Sequence, residues 1–335
     1  MQRVESLIIF AAFGFAYGVV LQRSGFCFAR AGFELFLLRS RDAFNGVMAG
    51  LVVATVGFTA VTAVRGSLGM EPTAHLLLLP LGAGTLLGGI LFGIGMTLAG
   101  MCAAGTLQRL GEGYLIAWFT LIGAIVGAAL DPFSALIPQE WRLQLPRGLW
   151  LGREMGAVGG GIAAVAALFL IWLAVARSQD GGKPGKRRAS PALLTPTVIG
   201  GALLGLINTL QMAVATPWTV TYPLALVHAA TAHELSGIAV HRAAPLIALD
   251  LGLILGSLIA SARNRVRVKA PRHFREVAAA LIGGALMAWG VQFAKGCSIG
   301  GVFSAVPSLS IGGWLFFPSL FFGAWIGTRV VRTLH

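Results

Sequence analysis

Charge is scarce in this sequence: Asp, Glu, Lys and Arg make up 11% of its 335 residues, where a soluble domain carries about a quarter. The shortage is greatest for acidic residues, because 12 Asp and Glu stand against 25 Lys and Arg, for a net charge of +13. Hydrophobic residues reach 56%, and the mean hydropathy is +0.82. So little charge on so apolar a chain excludes a soluble enzyme and a disordered protein. It predicts an all-α protein that crosses a membrane many times.

Cysteine is also rare. Its three copies, Cys27, Cys102 and Cys297, are far apart, which excludes the disulfide framework of a small secreted protein. A cysteine in an apolar chain can simply be a small core residue. Three thiols can also belong to a structural zinc site, but the sequence has no CxxC pair and no clustered histidines to support one. We therefore predict neither a metal nor a cofactor.

Apolar stretches long enough to cross the hydrocarbon core, about 20 residues each, occur nine times in the chain. They cover residues 6–22, 43–64, 80–99, 114–130, 155–176, 195–212, 243–262, 276–294 and 312–330. Four shorter apolar pieces cannot cross the membrane alone and lie at 28–38, 103–109, 222–232 and 299–306. We predict these pieces to be half-helices or re-entrant segments.

Basic residues are distributed unevenly between the two sides of these nine spans. Alternate loops hold 18 Lys and Arg on one side and 7 on the other. Because basic residues concentrate in cytoplasmic loops, the N-terminus is predicted to be periplasmic and the C-terminus cytoplasmic. Topology thus explains most of the net charge; membrane lipid is a predicted partner, and nucleic acid is not. The most polar stretch, residues 177–194, predicts a flexible cytoplasmic linker.

The chain contains an internal repeat. Residues 88–105, GGILFGIGMTLAGMCAAG, match residues 283–300, GGALMAWGVQFAKGCSIG, at 7 of 18 positions, and the match aligns Cys102 with Cys297. An odd number of spans separates the copies, so the second is predicted to be inverted, as in many transporters. The predicted divisions are a first half at 1–154, a connecting span and basic linker at 155–194, and an inverted second half at 195–335.

Both copies predict the same local structure, in which a glycine-rich span ends, a cysteine follows and a short apolar helix begins. Amides at the start of such a helix lack partners within the helix and attract anions. Glycines beside the cysteines would let the backbone approach a ligand; they are Gly100, Gly105, Gly296, Gly300 and Gly301. Glycines within the spans, namely Gly84, Gly88, Gly95, Gly283 and Gly290, are predicted to pack helices together instead. Nearby cations that would act on a thiol are Arg23, Arg30, Arg109 and Lys295.

Three segments resemble the YeeE/YedE family of membrane transporters for sulfur-containing ions. They are RSGFCFARAG at 23–32, LGGILFGIGMTLAGMCAAGTLQRLGEG at 87–113 and KGCSIGGVFSAVPSLSIGG at 295–313. The resemblance implies an hourglass-shaped protein of inverted repeats in the bacterial inner membrane, and not an enzyme. It also implies thiosulfate uptake into the cytoplasm, with Cys27, Cys102 and Cys297 handing the anion along by S–H hydrogen bonds. A separate TusA-like sulfurtransferase is the implied cytoplasmic partner.

Two departures from the family pattern bear on which sulfur anion is carried. Met101 precedes the middle cysteine where members often have glycine, and Lys295 stands where an arginine is expected. A membrane thiol oxidoreductase or sulfurtransferase that uses cysteine persulfide chemistry is the alternative function, and the lack of a CxxC pair argues against it. Asp250 lies in the middle of a predicted span, where its carboxylate is either a proton-coupling group or a satisfied hydrogen-bond partner.

Overall fold

A computed structural model of the protein describes residues 2–70, 79–130, 150–180, 195–216, 219, 237–262, 270–271 and 273–334. The α-helices in these ranges are α1 (Gln2–Ser24), α2 (Phe28–Phe33), α3 (Asp42–Ser67), α4 (Ala83–Ala99), α5 (Ala103–Gly111), α6 (Leu115–Leu130), α7 (Leu151–Asp180), α8 (Pro196–Val214), α9 (Gly237–Ala262), α10 (Phe274–Ala294) and α11 (Ile311–Leu334). Two π-helices, Glu34–Leu38 and Ser298–Ser304, complete the helical elements.

Each of the nine predicted spans lies on one of these helices, which confirms the all-α polytopic fold. Eight helices in the described part are long and apolar enough to cross a membrane. The ninth, α6, has 16 residues. At 1.5 Å per residue it is about 24 Å long, which is shorter than the ~30 Å hydrocarbon core.

The short apolar pieces are mostly helical where they are described. Residues 28–38 form α2 and the π-helix Glu34–Leu38, residues 103–109 lie in α5, and the π-helix Ser298–Ser304 covers most of 299–306. The fourth piece, 222–232, lies outside the described residues. Whether these segments re-enter the membrane stays a prediction.

The long helices pack in pairs whose relative directions follow from which residues face each other. Gly14 lies against Leu249 and Gly18 against Leu253, so α1 and α9 run in parallel. By the same kind of register, α3 is parallel to α8, α4 to α11 and α6 to α10, whereas α4 is antiparallel to α10. If the nine helices cross the membrane in alternating directions, the first and seventh, second and sixth, third and ninth, and fourth and eighth are parallel, and the third and eighth are antiparallel. The observed pairs have these directions. The packing thus agrees with the predicted alternation, and the side on which the N-terminus lies stays a prediction.

The antiparallel pair α4 and α10 meets at glycines that the repeat relates. A Cβ on Gly88 would come within 2.5 Å of the Gly290 carbonyl oxygen, and a Cβ on Gly290 within 2.6 Å of the Gly88 oxygen. Gly95 and Gly283 oppose each other in the same way, at 2.5 and 2.6 Å. Because the repeat aligns Gly88 with Gly283 and Gly95 with Gly290, exchanging the two copies turns one contact into the other, as a two-fold axis would. These contacts confirm the packing role predicted for the four glycines. The division of the chain into halves and the hourglass shape stay predictions.

Three buried aromatic rings join the Cys27 segment to the helix that follows Cys297. Phe26, Phe28 and Phe303 are each at most 1% exposed. Their ring centroids lie 5.6 to 6.2 Å apart in edge-to-face arrangements, which favour aromatic pairs beyond their buried area. This cluster holds two segments that are distant in sequence next to each other.

Candidate functional site

All three cysteines follow a helix end with the same backbone turn. The residue two positions before each cysteine is in the left-handed region, which ends the preceding helix. These residues are Gly25 (φ 64°), Gly100 (φ 67°) and Lys295 (φ 55°). Each cysteine is then extended and begins the next helical segment. Sequence reasoning predicted the breaks, and the structure adds that Cys27 has the same turn as the repeat-related pair.

Cys102 and Cys297 cap the segments that they begin. The Cys102 sulfur accepts a hydrogen bond from the Gly105 N–H at 3.4 Å, and the Cys297 sulfur accepts one from the Gly300 N–H at 3.3 Å. Their backbone angles also agree, at φ −88°, ψ −179° for Cys102 and φ −99°, ψ −176° for Cys297. A thiol whose sulfur accepts in this way still carries an S–H donor. The caps therefore fix where these two sulfurs stand.

The thiols of Cys27 and Cys102 lie side by side and interact. Gly105 faces both of them, because a Cβ on Gly105 would lie 3.4 Å from the Cys27 sulfur and 3.6 Å from the Cys102 sulfur. Cys102 is buried and Cys27 is half-buried. Gly105 was predicted to lie beside one cysteine, and it lies beside two.

Cys297 is fully buried. Within the described residues, no three His, Cys, Asp or Glu side chains lie close enough together to hold a metal ion. The zinc alternative therefore has no support from this part of the chain. The residue after Cys297, Ser298, does reach the pair, since its side chain lies beside the Cys102 sulfur. The two cysteine-bearing breaks meet at that point.

The other glycines predicted to contact a ligand differ in their surroundings. A Cβ on Gly300 would lie 2.8 Å from the Thr219 hydroxyl oxygen and 4.0 Å from the Cys297 sulfur. A Cβ on Gly296 would meet its nearest carbon atom at 3.0 Å, so Gly296 is closely packed, whereas one on Gly100 would find no atom within 4 Å. Gly100 serves a left-handed turn, and the ligand contacts of these three glycines stay predictions.

Of the four candidate cations, Arg109 is the one whose charge acts on the thiol pair; Arg30 reaches Cys27 through its backbone N–H. The Arg109 guanidinium lies 5.3 Å from the centre of the Tyr114 ring and acts electrostatically on Cys27. The charge of Arg30 is instead paired with the Glu34 carboxylate at 2.5 Å. The remaining candidates, Arg23 and Lys295, are exposed.

Sequence reasoning missed a polar network that holds α5 in place. The Gln22 side chain donates a hydrogen bond to Glu112 and accepts one from the Gln108 side chain at 3.1 Å. The Ser257 hydroxyl lies 3.1 Å from the Gln22 side-chain oxygen and 2.8 Å from the Gln108 carbonyl oxygen. The network ties the helix after Cys102 to α1 and α9.

The segment after Cys297 has its own support, also unpredicted. The Asn208 side chain of α8 donates to the Phe303 carbonyl oxygen and to the Ser304 hydroxyl, each at 3.1 Å. The available signal was a polar side chain within an apolar span, as at Gln22, Asn208 and Ser257.

Asp250 is another polar side chain within an apolar span. It is 7% exposed, and its Oδ1 has no hydrogen-bond partner among the described residues. Its role in proton coupling stays a prediction.

The chain is similar to known proteins over nearly its whole length. Residues 23–326 match the family described as sulphur transport. The thiosulfate transporter TsuA of Spirochaeta thermophila is 27% identical over 340 aligned residues, which cover 93% of this chain and 95% of that protein. The thiosulfate transporter TsuA of Escherichia coli is 26% identical over 345 residues, covering 95% of this chain and 92% of that protein. The probable transporter YedE of Escherichia coli is 25% identical over 162 residues, which cover 47% of this chain and 37% of that protein.

These findings confirm the resemblance drawn from the three cysteine-bearing segments. The matched residues include all three cysteines, and the structure is a bundle of helices suited to crossing a membrane. The chain therefore belongs to the sulphur-transport (YeeE/YedE) family and is a multi-pass membrane protein of that transporter family.

Proposed function

We propose that this protein carries thiosulfate, or a closely related sulfur-containing anion, across the bacterial inner membrane into the cytoplasm. The observation that carries the proposal is the thiol pair of Cys27 and Cys102 at the start of α5, with the repeat-related thiol of Cys297 in the same kind of break. Two relatives that match over more than nine-tenths of their length are named thiosulfate transporters, which supports the choice of anion.

Thiols suit the transient binding of a soft anion. An S–H group is a weak donor, so each contact holds the anion loosely, and loose contacts permit the release that conduction requires. The amides of Gly105 and Gly300 hold two of the sulfurs in position, so these donors stay in place as the anion arrives and leaves. The handover uses hydrogen bonds, and no bond to sulfur is made or broken. The remaining residues proposed for the pathway are Gly100, Gly296, Lys295 and Arg109.

The helix directions suggest an order for the cysteines. In the proposed topology, with the N-terminus in the periplasm and the C-terminus in the cytoplasm, α10 runs toward the periplasm and α1 and α4 run toward the cytoplasm. Cys297 then follows an outward-running helix, whereas Cys27 and Cys102 follow inward-running ones. The anion meets Cys297 first and leaves from the thiol pair. A TusA-like sulfurtransferase receives it, and the basic cytoplasmic loops contact membrane lipid.

The test is uptake of radiolabelled thiosulfate by the purified protein in liposomes. Cys27→Ala, Cys102→Ala and Cys297→Ala are each expected to lower initial uptake at least about tenfold, the effect of losing about 1.4 kcal/mol of stabilisation. Ser308→Ala, which removes a buried hydroxyl in the turn before α11, controls for reconstitution and should transport like the wild type. Undiminished uptake by all three cysteine variants would overturn the proposal.

Direction and topology need a separate measurement in cells. A green fluorescent protein fused to the C-terminus should fluoresce, because it folds in the cytoplasm, and an alkaline phosphatase fused there should be inactive. The reverse pattern would contradict the proposed orientation and the order of the cysteines.

A further inference from the structure

Ser298 has a buried hydroxyl that lies beside the Cys102 thiol but makes no hydrogen bond of standard geometry in the described part of the chain. The residue is 0% exposed, and its Oγ makes no hydrogen bond of standard geometry to any described residue. Several other buried hydroxyls donate to a nearby carbonyl oxygen: Thr55 to Leu51 at 2.7 Å, Thr106 to Cys102 at 2.9 Å and Ser319 to Phe316 at 2.8 Å. Ser308 shares the feature with Ser298, so the position of Ser298 beside a cysteine has to distinguish the two. Because an unpaired buried hydroxyl is costly, it needs an explanation such as a ligand that completes it.

The position of this hydroxyl connects the cysteines. Ser298 is bonded to Cys297 in the chain, and its side chain lies beside the Cys102 sulfur. The three cysteines do not form a group that could hold a metal ion. An anion that moves from Cys297 to the thiol pair therefore passes the Ser298 hydroxyl on the way.

The internal repeat shows that the helix break does not require a hydroxyl here. The residue that corresponds to Ser298 in the first copy is Ala103, which follows Cys102. The two breaks have nearly the same cysteine backbone angles and the same cap hydrogen bond. A serine that the backbone does not need, placed where the two breaks meet, points to a role in binding.

We propose that Ser298 is a substrate-binding residue whose hydroxyl donates a hydrogen bond to an oxygen of the sulfur oxyanion between Cys297 and Cys102. The inference rests on the proposed function and deepens it. Thiosulfate has a terminal sulfur and three oxygens, and a hydroxyl is a stronger donor than a thiol. Thiols and hydroxyl together would hold the two ends of the anion with different donors.

The experiment compares three side chains at this one position. Thiosulfate binding to the purified protein in detergent would be measured by calorimetry for Ser298→Ala and Ser298→Cys. Losing a hydrogen bond to a charged group should raise the Kd of Ser298→Ala at least about tenfold. Ser298→Cys keeps a weaker donor and should lie between the wild type and Ser298→Ala. An unchanged Kd for Ser298→Ala would overturn the inference.

Thermal stability separates binding from a merely structural role. Without thiosulfate, Ser298→Ala should melt at the wild-type temperature or above, since the unpaired hydroxyl is gone. The stabilisation that thiosulfate confers should shrink, because weaker binding stabilises the folded state less. Ser308→Ala, which removes another unpartnered buried hydroxyl, should keep the full thiosulfate-dependent shift. A Ser298→Ala protein that melts lower and keeps that shift would contradict the inference.

The cysteine variants keep this test distinct from that of the proposed function. If Cys102→Ala and Cys297→Ala lose binding while Ser298→Ala does not, the inference fails and the proposed function stands. If the cysteine variants also bind and transport like the wild type, the proposed function fails and the inference with it.

Discussion

The helix breaks at Cys102 and Cys297 have the same backbone conformation, but different side chains surround them. Both cysteines follow a left-handed residue by two positions and accept a hydrogen bond from the amide three residues on. Cys102 has the Cys27 thiol beside it, whereas Gly300 in the second break lies near the Thr219 hydroxyl. The repeat thus provides the same scaffold twice, and the side chains around it give each break its own set of donors.

The helices that follow the two breaks are also supported differently. The first, α5, is held by the Gln22 network, whose members Gln22 and Glu112 are half-buried. The second is a π-helix in which all seven residues are buried, and it is held by Asn208, which is 0% exposed. π-helical turns are often found at functional sites. We expect the second break to be the more rigid of the two.

Gly105→Ala should separate transport from stability most clearly. The added methyl would lie 3.4 Å from the Cys27 sulfur and 3.6 Å from the Cys102 sulfur, distances that the fold tolerates. It would occupy the space beside both thiols, so we expect thiosulfate uptake in liposomes to fall at least about tenfold with an unchanged melting temperature. The control is Gly66→Ala, whose methyl meets no atom within 4 Å.

Its counterpart in the other break, Gly300→Ala, should behave differently. The methyl would lie 2.8 Å from the Thr219 hydroxyl oxygen, which is too close, and the overlap should cost about 1–3 kcal/mol of folding stability. For the Gly105→Ala variant of the first break, uptake at the wild-type rate would show that the thiol pair does not line the pathway.

Gly88→Ala and Gly283→Ala test whether the two copies are equivalent. Each Cβ would meet a facing carbonyl oxygen, at 2.5 Å for Gly88 and 2.6 Å for Gly283, so each should destabilise the protein by about 3 kcal/mol. The measurement is unfolding in denaturing detergent micelles. A large cost at one position and none at the other would contradict the two-fold relation.

Asn208→Ala and Gln22→Ala compare the supports of the two breaks. Asn208→Ala removes two hydrogen bonds from a fully buried site and should cost about 2 kcal/mol. Gln22→Ala acts in a half-buried site and should cost about 1 kcal/mol. The same unfolding assay ranks the two variants, and the opposite order would contradict the greater rigidity expected of the second break.

Lys295→Gly should change folding stability least, and it should stabilise the protein where most of the preceding variants destabilise it. Lys295 has a φ of 55°, and glycine adopts the left-handed region without the cost of roughly 1 kcal/mol that other residues meet there. We expect a slightly higher melting temperature together with lower uptake, because the charge is lost. Lys295→Arg should keep uptake and leave stability unchanged. Uptake by Lys295→Gly at the wild-type level would remove Lys295 from the proposed pathway.

Much of the fold could be predicted because membrane helices depend on local sequence. All nine spans lie on helices, and Gly88 and Gly95 pack as small residues should. The length of α6 was overestimated, since the predicted span 114–130 has 17 residues and the helix has 16. The supports of the site could not be predicted, because they join distant residues: Gln22 and Glu112 are 90 positions apart, and Ser257 and Gln22 are 235 apart.

The amino-acid sequence by itself determined that this protein crosses a membrane, that its cysteines follow helix breaks, and that two of the breaks are copies of each other. These features depend on runs of apolar residues and on the residues next to each cysteine. Only the tertiary structure decided that the Cys27 thiol lies beside the Cys102 thiol, and that Ser298 lies where the two breaks meet. Such neighbours are set by how helices pack through glycines, and packing brings together residues that no local pattern relates.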